Sequence, residues 1–331
     1  MAIDLVDDLG DVYAAADATV VGWGTAPNSV QSGRLGGGCF RLTSRSTTRS
    51  VASGASRTVG FAWRPVSTTG SGILFTFLES TTVHVNLEYN GDGTLSVTRN
   101  GTALTGGTSA AVITAANVWY SVELSATIND TTGAFELKVN GTTVASGSGV
   151  DTRNGGTSGV ISVIRFNGRG TNDDYDDLWS DGSAGAFNGD MRVCSDLPNS
   201  DGGASQWTPS TGTAHYACVD DATPGGDTDY VSDATAGHID TYGYPSVGVG
   251  SGATVLGVMV RLIARKDDAG TRTIDQVVRR GGTNYATGTA KTLSTSYAAA
   301  EGIFNTDPST GSAWASVAAV NAGEYGVKEV A

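Results

Sequence analysis

The chain has 331 residues, including 47 glycines, and its 20 basic and 33 acidic side chains give a formal net charge of −13 at pH 7. This acidic balance argues against nucleic-acid binding, and a hydrophobic content of 39% is too high for a disordered chain. No apolar run approaches the ~20 residues of a membrane helix, and the amino terminus lacks a signal-peptide pattern, so we expect no membrane insertion.

Short runs in which apolar and polar residues alternate predict β-strands along the whole chain. No window keeps the 3.6-residue period long enough for a major helix. In the first half these runs are rich in Val, Ile, Phe, Tyr and Thr, the residue types that favour strands. The predicted strands there span residues 58–63, 73–79, 83–89, 95–99, 119–126, 135–139 and 160–166.

Six Asn-Gly pairs mark turns in the same half, at residues 90–91, 100–101, 140–141, 154–155, 167–168 and 188–189. Asn and Gly both tolerate the positive φ that a two-residue type I′ hairpin turn requires. Residues 83–89 and 95–99 therefore predict one hairpin with a slightly longer loop, and residues 135–139 and 142–145 predict another. Because hairpins pair their strands antiparallel, we expect an antiparallel sandwich in this half.

The length suggests about two domains, and a stretch of small polar residues at 181–190 is typical of a linker or of the last corner of a first domain. Beyond it, residues 255–266 and 271–280 flank a turn and predict a hairpin. Residues 314–323 form either a short helix or a final strand. The other predicted strands of this half span residues 213–219, 228–231 and 238–242.

Several runs resemble known families. Residues 117–124 (NVWYSVEL), 133–141 (GAFELKVNG) and 175–179 (YDDLW) resemble the late strands of a concanavalin-like, or laminin-G-like, jelly roll. Residues 5–13 and 33–42 resemble the opening of a subset of these domains seen in tailed phages. Four runs of the second half resemble a module that follows this jelly roll in phage and gene-transfer-agent virion proteins. They are GDMRV at 189–193, WTPSTG at 207–212, DTDYV at 227–231 and ARKDDAGTR at 264–272.

With the strand pattern, the resemblance implies an all-β protein: an antiparallel jelly-roll sandwich at residues 1–187, followed by a second, smaller β-sandwich domain at residues 188–331. It also implies a structural protein of the virion surface, such as a head spike, tail fibre or capsid decoration, with other virion proteins as partners. Such modules commonly contact host-surface polysaccharide, and the cyclic symmetry of virion appendages implies a homo-oligomer. Two alternatives stay open, an assembly or spacer module without glycan binding and a glycan depolymerase.

An acidic run is the candidate metal site. Asp173, Asp174, Asp176 and Asp177 are oxygen ligands of the type that Ca²⁺ prefers, and no other cofactor is expected. In an extended segment, Asp174 shares a face with Asp176, and Asp173 shares the other with Asp177. The alternative interpretation is a strand whose acidic side chains keep a sheet edge soluble.

Four aromatic residues are the candidate glycan-binding residues, namely Trp207, Tyr230, Tyr242 and Tyr244. They lie in polar, loop-like sequence, where exposed rings could stack on the faces of sugars. A subunit interface is the competing interpretation, because Trp and Tyr are also enriched there.

We expect no enzymatic activity. Many concanavalin-like glycanases carry E-x-D-x-x-E on one strand, and no Glu of the first half has an Asp two residues later. His84 shares its predicted strand face with Asn86 and Glu88, which indicates the polar side of a strand rather than a catalytic histidine.

Overall fold

The computed structural model describes residues 3–11, 13–155, 158–250 and 252–331. The chain divides into two compact units: unit 1 comprises Met1–Thr19 and Trp23–Cys194, and unit 2 comprises Val20–Gly22 and Ser195–Ala331. This division lies a few residues after the boundary expected from the sequence, because the intervening segment is hydrogen-bonded to unit 1. The backbone amides of Asn188 and Gly189, for example, both donate to Glu123 Oε1.

Antiparallel strands make up almost all of the regular secondary structure of unit 1, as the sequence predicted. A short 3₁₀ helix spans Ala15–Thr19. The strands in chain order are β1 (Ile3–Asp7), β2 (Ser29–Ser32), β3 (Gly38–Leu42), β4 (Ser46–Gly54), β5 (Ser56–Pro65), β6 (Gly72–Glu79), β7 (Thr82–Tyr89), β8 (Leu95–Arg99), β9 (Thr102–Thr108), β10 (Tyr120–Thr127), β11 (Gly133–Val139), β12 (Thr142–Val150), β13 (Ile161–Asn167) and β14 (Asp173–Asp181).

Within the described residues these strands form two sheets. The eight-stranded sheet has the order β12-β11-β10-β5-β14-β3-β2, with β1 also paired to β14. The six-stranded sheet has the order β4-β13-β6-β7-β8-β9. Each strand buries alternate side chains between the two sheets, so the remaining side chains point outward from the sandwich.

Aromatic rings fill the space between the two sheets. Phe61 of β5 and Tyr175 of β14 meet Phe166 of β13 at ring-centroid distances of 5.0 and 4.8 Å. Phe75 of β6 lies 5.2 Å from the same Phe166 ring. These rings are buried, and edge-to-face or tilted contacts at such distances are favourable for aromatic pairs.

The strands predicted in the first half are all present, with ends shifted by one or two residues. Asn100-Gly101 and Asn140-Gly141 form two-residue turns with positive φ at both positions, as a type I′ turn requires. The predicted strands omit β1, β2, β3, β4 and β9. In β2, β4 and β9 the Ser, Thr and Gly residues show no apolar alternation.

The regular secondary structure of unit 2 is also mainly β-strand, and a second, smaller all-β unit was expected. Its elements are β15 (Ser200–Ser205), β16 (Thr208–Pro209), a 3₁₀ helix at Tyr216–Cys218, β17 (Val231–Ser232), β18 (Ile239–Gly243), β19 (Val258–Ala264), β20 (Thr273–Arg280), β21 (Thr283–Ala286), β22 (Lys291–Thr292), β23 (Ala298–Phe304), α1 (Val317–Asn321) and β24 (Glu324–Glu329). One sheet has the order β15-β18-β24-β20-β21 with β22 on β20, and β16–β17 and β19–β23 form two-stranded ribbons. No helix among the described residues is long and apolar enough to cross a membrane.

Two predictions for unit 2 are wrong, and a third, a strand at residues 228–231, is confirmed only at Val231, where β17 begins. Residues 213–219 do not form a strand, because backbone hydrogen bonds close a 3₁₀ turn at Tyr216–Cys218. The strands β19 and β20 do not form a hairpin either, since β19 pairs with β23 and β20 with β24. Val260 of β19 and Val278 of β20 instead belong to one hydrophobic cluster between the sheet and the ribbon.

Candidate functional site

The four candidate glycan-binding aromatics of unit 2 do not form one platform. Tyr242 is only 4% exposed and its hydroxyl donates to Asp240, so the expectation of an exposed ring is wrong there. Tyr244 packs edge-to-face on Tyr325 at 5.6 Å and contacts a hydrophobic cluster, and burial raises its pKa. The Tyr242 ring is therefore buried, and the Tyr244 ring is partly covered by its neighbours.

Trp207 and Tyr230 lie beside the β16–β17 ribbon but on opposite faces of it. The register pairs Thr208 with Ser232, and Ser210 follows as the partner of Tyr230. Because paired residues share a face and neighbours alternate, Tyr230 lies on the face of Thr208, and Trp207 lies on the other. Tyr230 is exposed, whereas Trp207 is partly packed against a hydrophobic cluster.

The four candidate calcium ligands of β14 do not lie together in one site either. Asp173 points into the sandwich, where it accepts from Trp63 Nε1 at 2.9 Å and pairs with Arg169 at 2.7 Å. Asp174 points outward and binds two guanidinium groups, those of Arg41 and Arg64, each at 2.7 Å. Both carboxylates are therefore neutralised by arginine rather than left to bind a cation.

Asp176 and Asp177 occupy a β-bulge opposite β5, where Asp177 has a φ of 52°. Burial and repulsion from Asp177 raise the pKa of Asp176 to about 7, and burial and repulsion from Asp8 raise the pKa of Asp11 to about 7. Among the described residues, however, no group of three or more His, Cys, Asp or Glu side chains is placed to hold a metal ion. The four carboxylates therefore do not form the calcium site that the sequence suggested.

The outer face of the eight-stranded sheet is covered by the chain itself. We call residues 183–193 the strap. The amides of Gly185 and Ala186 donate to Ser125 Oγ at 2.8 Å and Thr58 Oγ1 at 3.2 Å, side chains on the outer face of β10 and β5. Further along, the strap is bonded to Glu123, which is 1% exposed, and to Asp177 through the Val193 amide at 2.7 Å. The middle of this face is thus unavailable to a large ligand.

Beside the strap lies a shallow depression of about 430 Å³ at the β10–β12 edge of the sheet. Small side chains, Phe135 and Glu136 line it, and Glu136 already accepts from Thr143 Oγ1 at 2.6 Å.

The outer face of the six-stranded sheet carries a continuous set of polar side chains, which we call the polar face. It consists of Thr76 (β6), Asn86 and Glu88 (β7), Thr98 (β8), and Arg165 and Asn167 (β13). The strand register pairs Arg165 with Thr76, Thr76 with Asn86, and Asn86 with Thr98. The row therefore crosses four adjacent strands, a width of roughly 14 Å at ~4.8 Å per strand.

Hydrogen bonds connect the side chains of the polar face across the strands, from Arg165 on β13 to Glu88 on β7. Arg165 Nη2 and Asn167 Nδ2 reach Thr76 Oγ1 at 3.5 and 3.3 Å. Thr76 Oγ1 then donates to Asn86 Oδ1 at 3.1 Å. At the far end, Glu88 Oε1 accepts from Asn86 at 3.5 Å and from Thr98 at 2.5 Å.

The two ends of this network have hydrogen-bonding capacity that the described residues do not use. Thr76, Asn86 and Thr98 are buried at 0–5% exposure, whereas Glu88, Arg165 and Asn167 are half-buried. Glu88 uses only one of its carboxylate oxygens in the bonds described above. Arg165 Nε is buried and has no acceptor among the described residues. Donors thus collect at the β13 end and an acceptor at the β7 end.

Sequence reasoning identified two of the six residues of the polar face. It placed Asn86 and Glu88 on the polar side of one strand, together with His84. The structure ties His84 instead to Glu79 at 3.3 Å and to the Asn154 amide, and burial lowers its pKa. Arg165 and Asn167 were missed, although their alternation with Phe166 in the predicted strand 160–166 was a usable signal.

Comparison with models of known protein families and with curated proteins gives no match. Among solved structures, alginate lyase Aly36B is similar at 13% identity and a TM-score of 0.39, over 54% of this chain and 94% of that protein. Galectin LEC-6 of Caenorhabditis elegans is 14% identical with a TM-score of 0.30, over 43% and 95%. The CBM40 of Ruminococcus gnavus IT-sialidase, solved with α2,3-sialyllactose, is 14% identical with a TM-score of 0.30, over 39% and 77%. No functional residue is transferred from any of them.

Proposed function

We propose that this chain is a structural protein of a virion surface, part of a head spike, fibre or capsid decoration, and that unit 1 attaches it to host-surface polysaccharide. The observation that carries the attachment role is the polar face. It offers buried, prearranged hydrogen-bonding groups with open capacity at both ends, at Arg165 and Glu88. Sugars are recognised largely through such hydroxyl hydrogen bonds, and prearranged partners lower the entropy lost on binding.

The virion part of the proposal is supported by the ordered sequence runs of unit 2 that resemble a module of phage and gene-transfer-agent virion proteins. Its assembly as a homo-oligomer follows from the symmetry of such appendages. Mass spectrometry of purified particles tests this part, and absence of the chain from the virion would contradict it.

We propose binding rather than catalysis. Acid–base cleavage of a glycosidic bond uses two carboxyl groups roughly 5–10 Å apart. The polar face contributes one, that of Glu88, and Thr98 already donates to it. Incubation with capsule or lipopolysaccharide is therefore expected to release no reducing ends, and their release would favour the depolymerase alternative.

The attachment role is tested with the full chain on a glycan panel and on whole cells. Glu88→Gln keeps the size of the side chain but replaces a charged acceptor by a neutral one, so we expect about 5- to 20-fold weaker binding. Glu136→Gln is the matched control, because Glu136 also accepts from a threonine on an outer sheet face, but on the other sheet.

If Glu136→Gln weakens binding and Glu88→Gln does not, the site lies on the eight-stranded sheet. If neither glycans nor cells are bound, unit 1 is a spacer and the attachment role is wrong.

A further inference from the structure

The guanidinium of Arg165 differs from those of its neighbours along the chain. Arg153 pairs with Asp130 at 3.1 Å, and Arg169 pairs with Asp173 at 2.7 Å. Arg165 is half-buried in the polar face, yet no carboxylate lies within 4 Å of it among the described residues. Its one polar contact is the 3.5 Å approach of Nη2 to Thr76 Oγ1, at the long limit for a hydrogen bond.

The surroundings of Arg165 do not compensate its charge. The side chains next to it on the sheet, Thr76 and Asn167, are neutral. The nearest carboxylate of the polar face, Glu88, lies two strands away, roughly 10 Å or more by strand spacing. Burial lowers the pKa of Arg165, and no charged neighbour opposes that shift. Removing a cation from water without a counterion costs free energy, so a ligand that supplies a counterion is bound more favourably.

We infer that the polar face binds an acidic polysaccharide, and that a sugar carboxylate pairs with the guanidinium of Arg165, which has no counterion among the described residues. This inference rests on the proposed attachment role and adds the chemical class of the glycan. The planar fork of a guanidinium matches a carboxylate in two parallel hydrogen bonds. Glu88, half-buried at the other end of the row, is then placed to accept from a sugar hydroxyl group.

Because the chain has a negative net charge, attraction between Arg165 and an acidic polysaccharide acts only at short range. With −13 overall, the protein repels an acidic polymer at a distance, so long-range steering does not produce the affinity. The binding must come from direct contact at a local cation, and Arg165 is such a cation.

The test compares matched ligands. The probes are polygalacturonate, alginate and hyaluronate, each beside its methyl ester, with dextran and mannan as neutral polysaccharides. We expect the full chain to bind at least one acidic form, and to bind its methyl ester at least 10-fold more weakly. Arg165→Gln should weaken binding of the acidic form about 10- to 100-fold and leave binding of the ester unchanged.

Two variants control the test. Arg165→Lys keeps the charge but loses the fork, and should recover part of the affinity. Arg272→Gln in unit 2 makes the same change in net charge at a half-buried arginine that is paired with Asp268, and should leave binding unchanged. The melting temperature of each variant confirms that it is folded.

The outcomes separate the two proposals. If neutral polysaccharides or the esters bind as well as the acidic forms, or if Arg165→Gln binds the acidic form normally, the inference is wrong and the attachment role remains. If no polysaccharide on the panel and no host cell is bound, the attachment role fails and the inference falls with it.

Discussion

Two arginines four residues apart should respond in opposite ways to the same substitution. Arg169 and its partner Asp173 are both fully buried. Arg169 makes hydrogen bonds to both Asp173 oxygens at 2.7–3.1 Å, and its guanidinium also donates to the Gly70 and Ser67 carbonyls. Arg169→Met removes all of these and leaves the Asp173 carboxylate buried, with Trp63 Nε1 at 2.9 Å and the backbone amide of residue 169 at 3.4 Å as its remaining donors.

Breaking a buried pair from one side destabilises a protein by about 3–5 kcal/mol. For a unit of this size, about 2–4 °C per kcal/mol converts this loss into a melting temperature roughly 6–20 °C lower. Arg165→Met instead removes one long contact, worth at most ~0.5 kcal/mol, and relieves a half-buried charge that has no counterion. We expect its free energy of unfolding to be unchanged or about 1 kcal/mol higher.

Differential scanning calorimetry of the full chain, with urea unfolding as a second measurement, checks both variants in the absence of polysaccharide. A loss of more than about 1 kcal/mol in Arg165→Met would refute the reasoning, because it would mean that the guanidinium is stabilised within the protein. The acidic-ligand inference would then lose its main support. An unchanged Arg169→Met would show that the buried pair contributes nothing.

Three further predictions concern unit 1. The pKa of Asp11 is about 7 in the folded state and 3.8 in the unfolded state, so the free energy of unfolding falls as the pH rises from about 4 to 7. Asp11→Asn should therefore raise the melting temperature at pH 8 by a few degrees and leave it unchanged near pH 4. A pH-independent effect, measured by thermal unfolding at both pH values, would contradict this. Gly60→Ala places a Cβ 2.3 Å from the Trp179 ring and should cost at least ~2 kcal/mol in urea unfolding, whereas a tolerated alanine would show that the ring can move. Asn100 has a φ of 44°, so Asn100→Val should destabilise the turn by ~1–2 kcal/mol in the same assay while Asn100→Gly is nearly neutral; equal effects would exclude backbone strain as the cause.

The strands of unit 1 could be predicted because each signal is local. In β7, alternation buries Val85 and Leu87 and turns Asn86 and Glu88 outward, and this pattern needs no knowledge of the partner strands. The Asn-Gly turns are equally local, because the positive φ is a property of two adjacent residues. In unit 2 the same logic failed for β19 and β20, because alternation does not distinguish strands paired side by side from strands packed face to face.

The candidate site was harder to predict because it depends on register between distant segments. Arg165 meets Thr76 only because β13 pairs with β6, two strands about ninety residues apart in sequence. The calcium prediction failed for a related reason. The sequence showed consecutive carboxylates on β14, but not that Arg41 and Arg64 on adjacent strands would bind Asp174.

The contrast between the two outer faces of unit 1 supports a binding role for one of them. On the eight-stranded sheet, the chain's own strap bonds to the outward hydroxyl and carboxylate groups of Ser125, Thr58 and Glu123. The polar face has comparable side chains, yet its end groups at Arg165 and Glu88 keep hydrogen-bonding capacity. A face that served solubility alone would carry scattered exposed charges, not neutral groups buried between one cation and one anion. Because the donors lie at one end and the acceptor at the other, a bound glycan would also be held in one orientation.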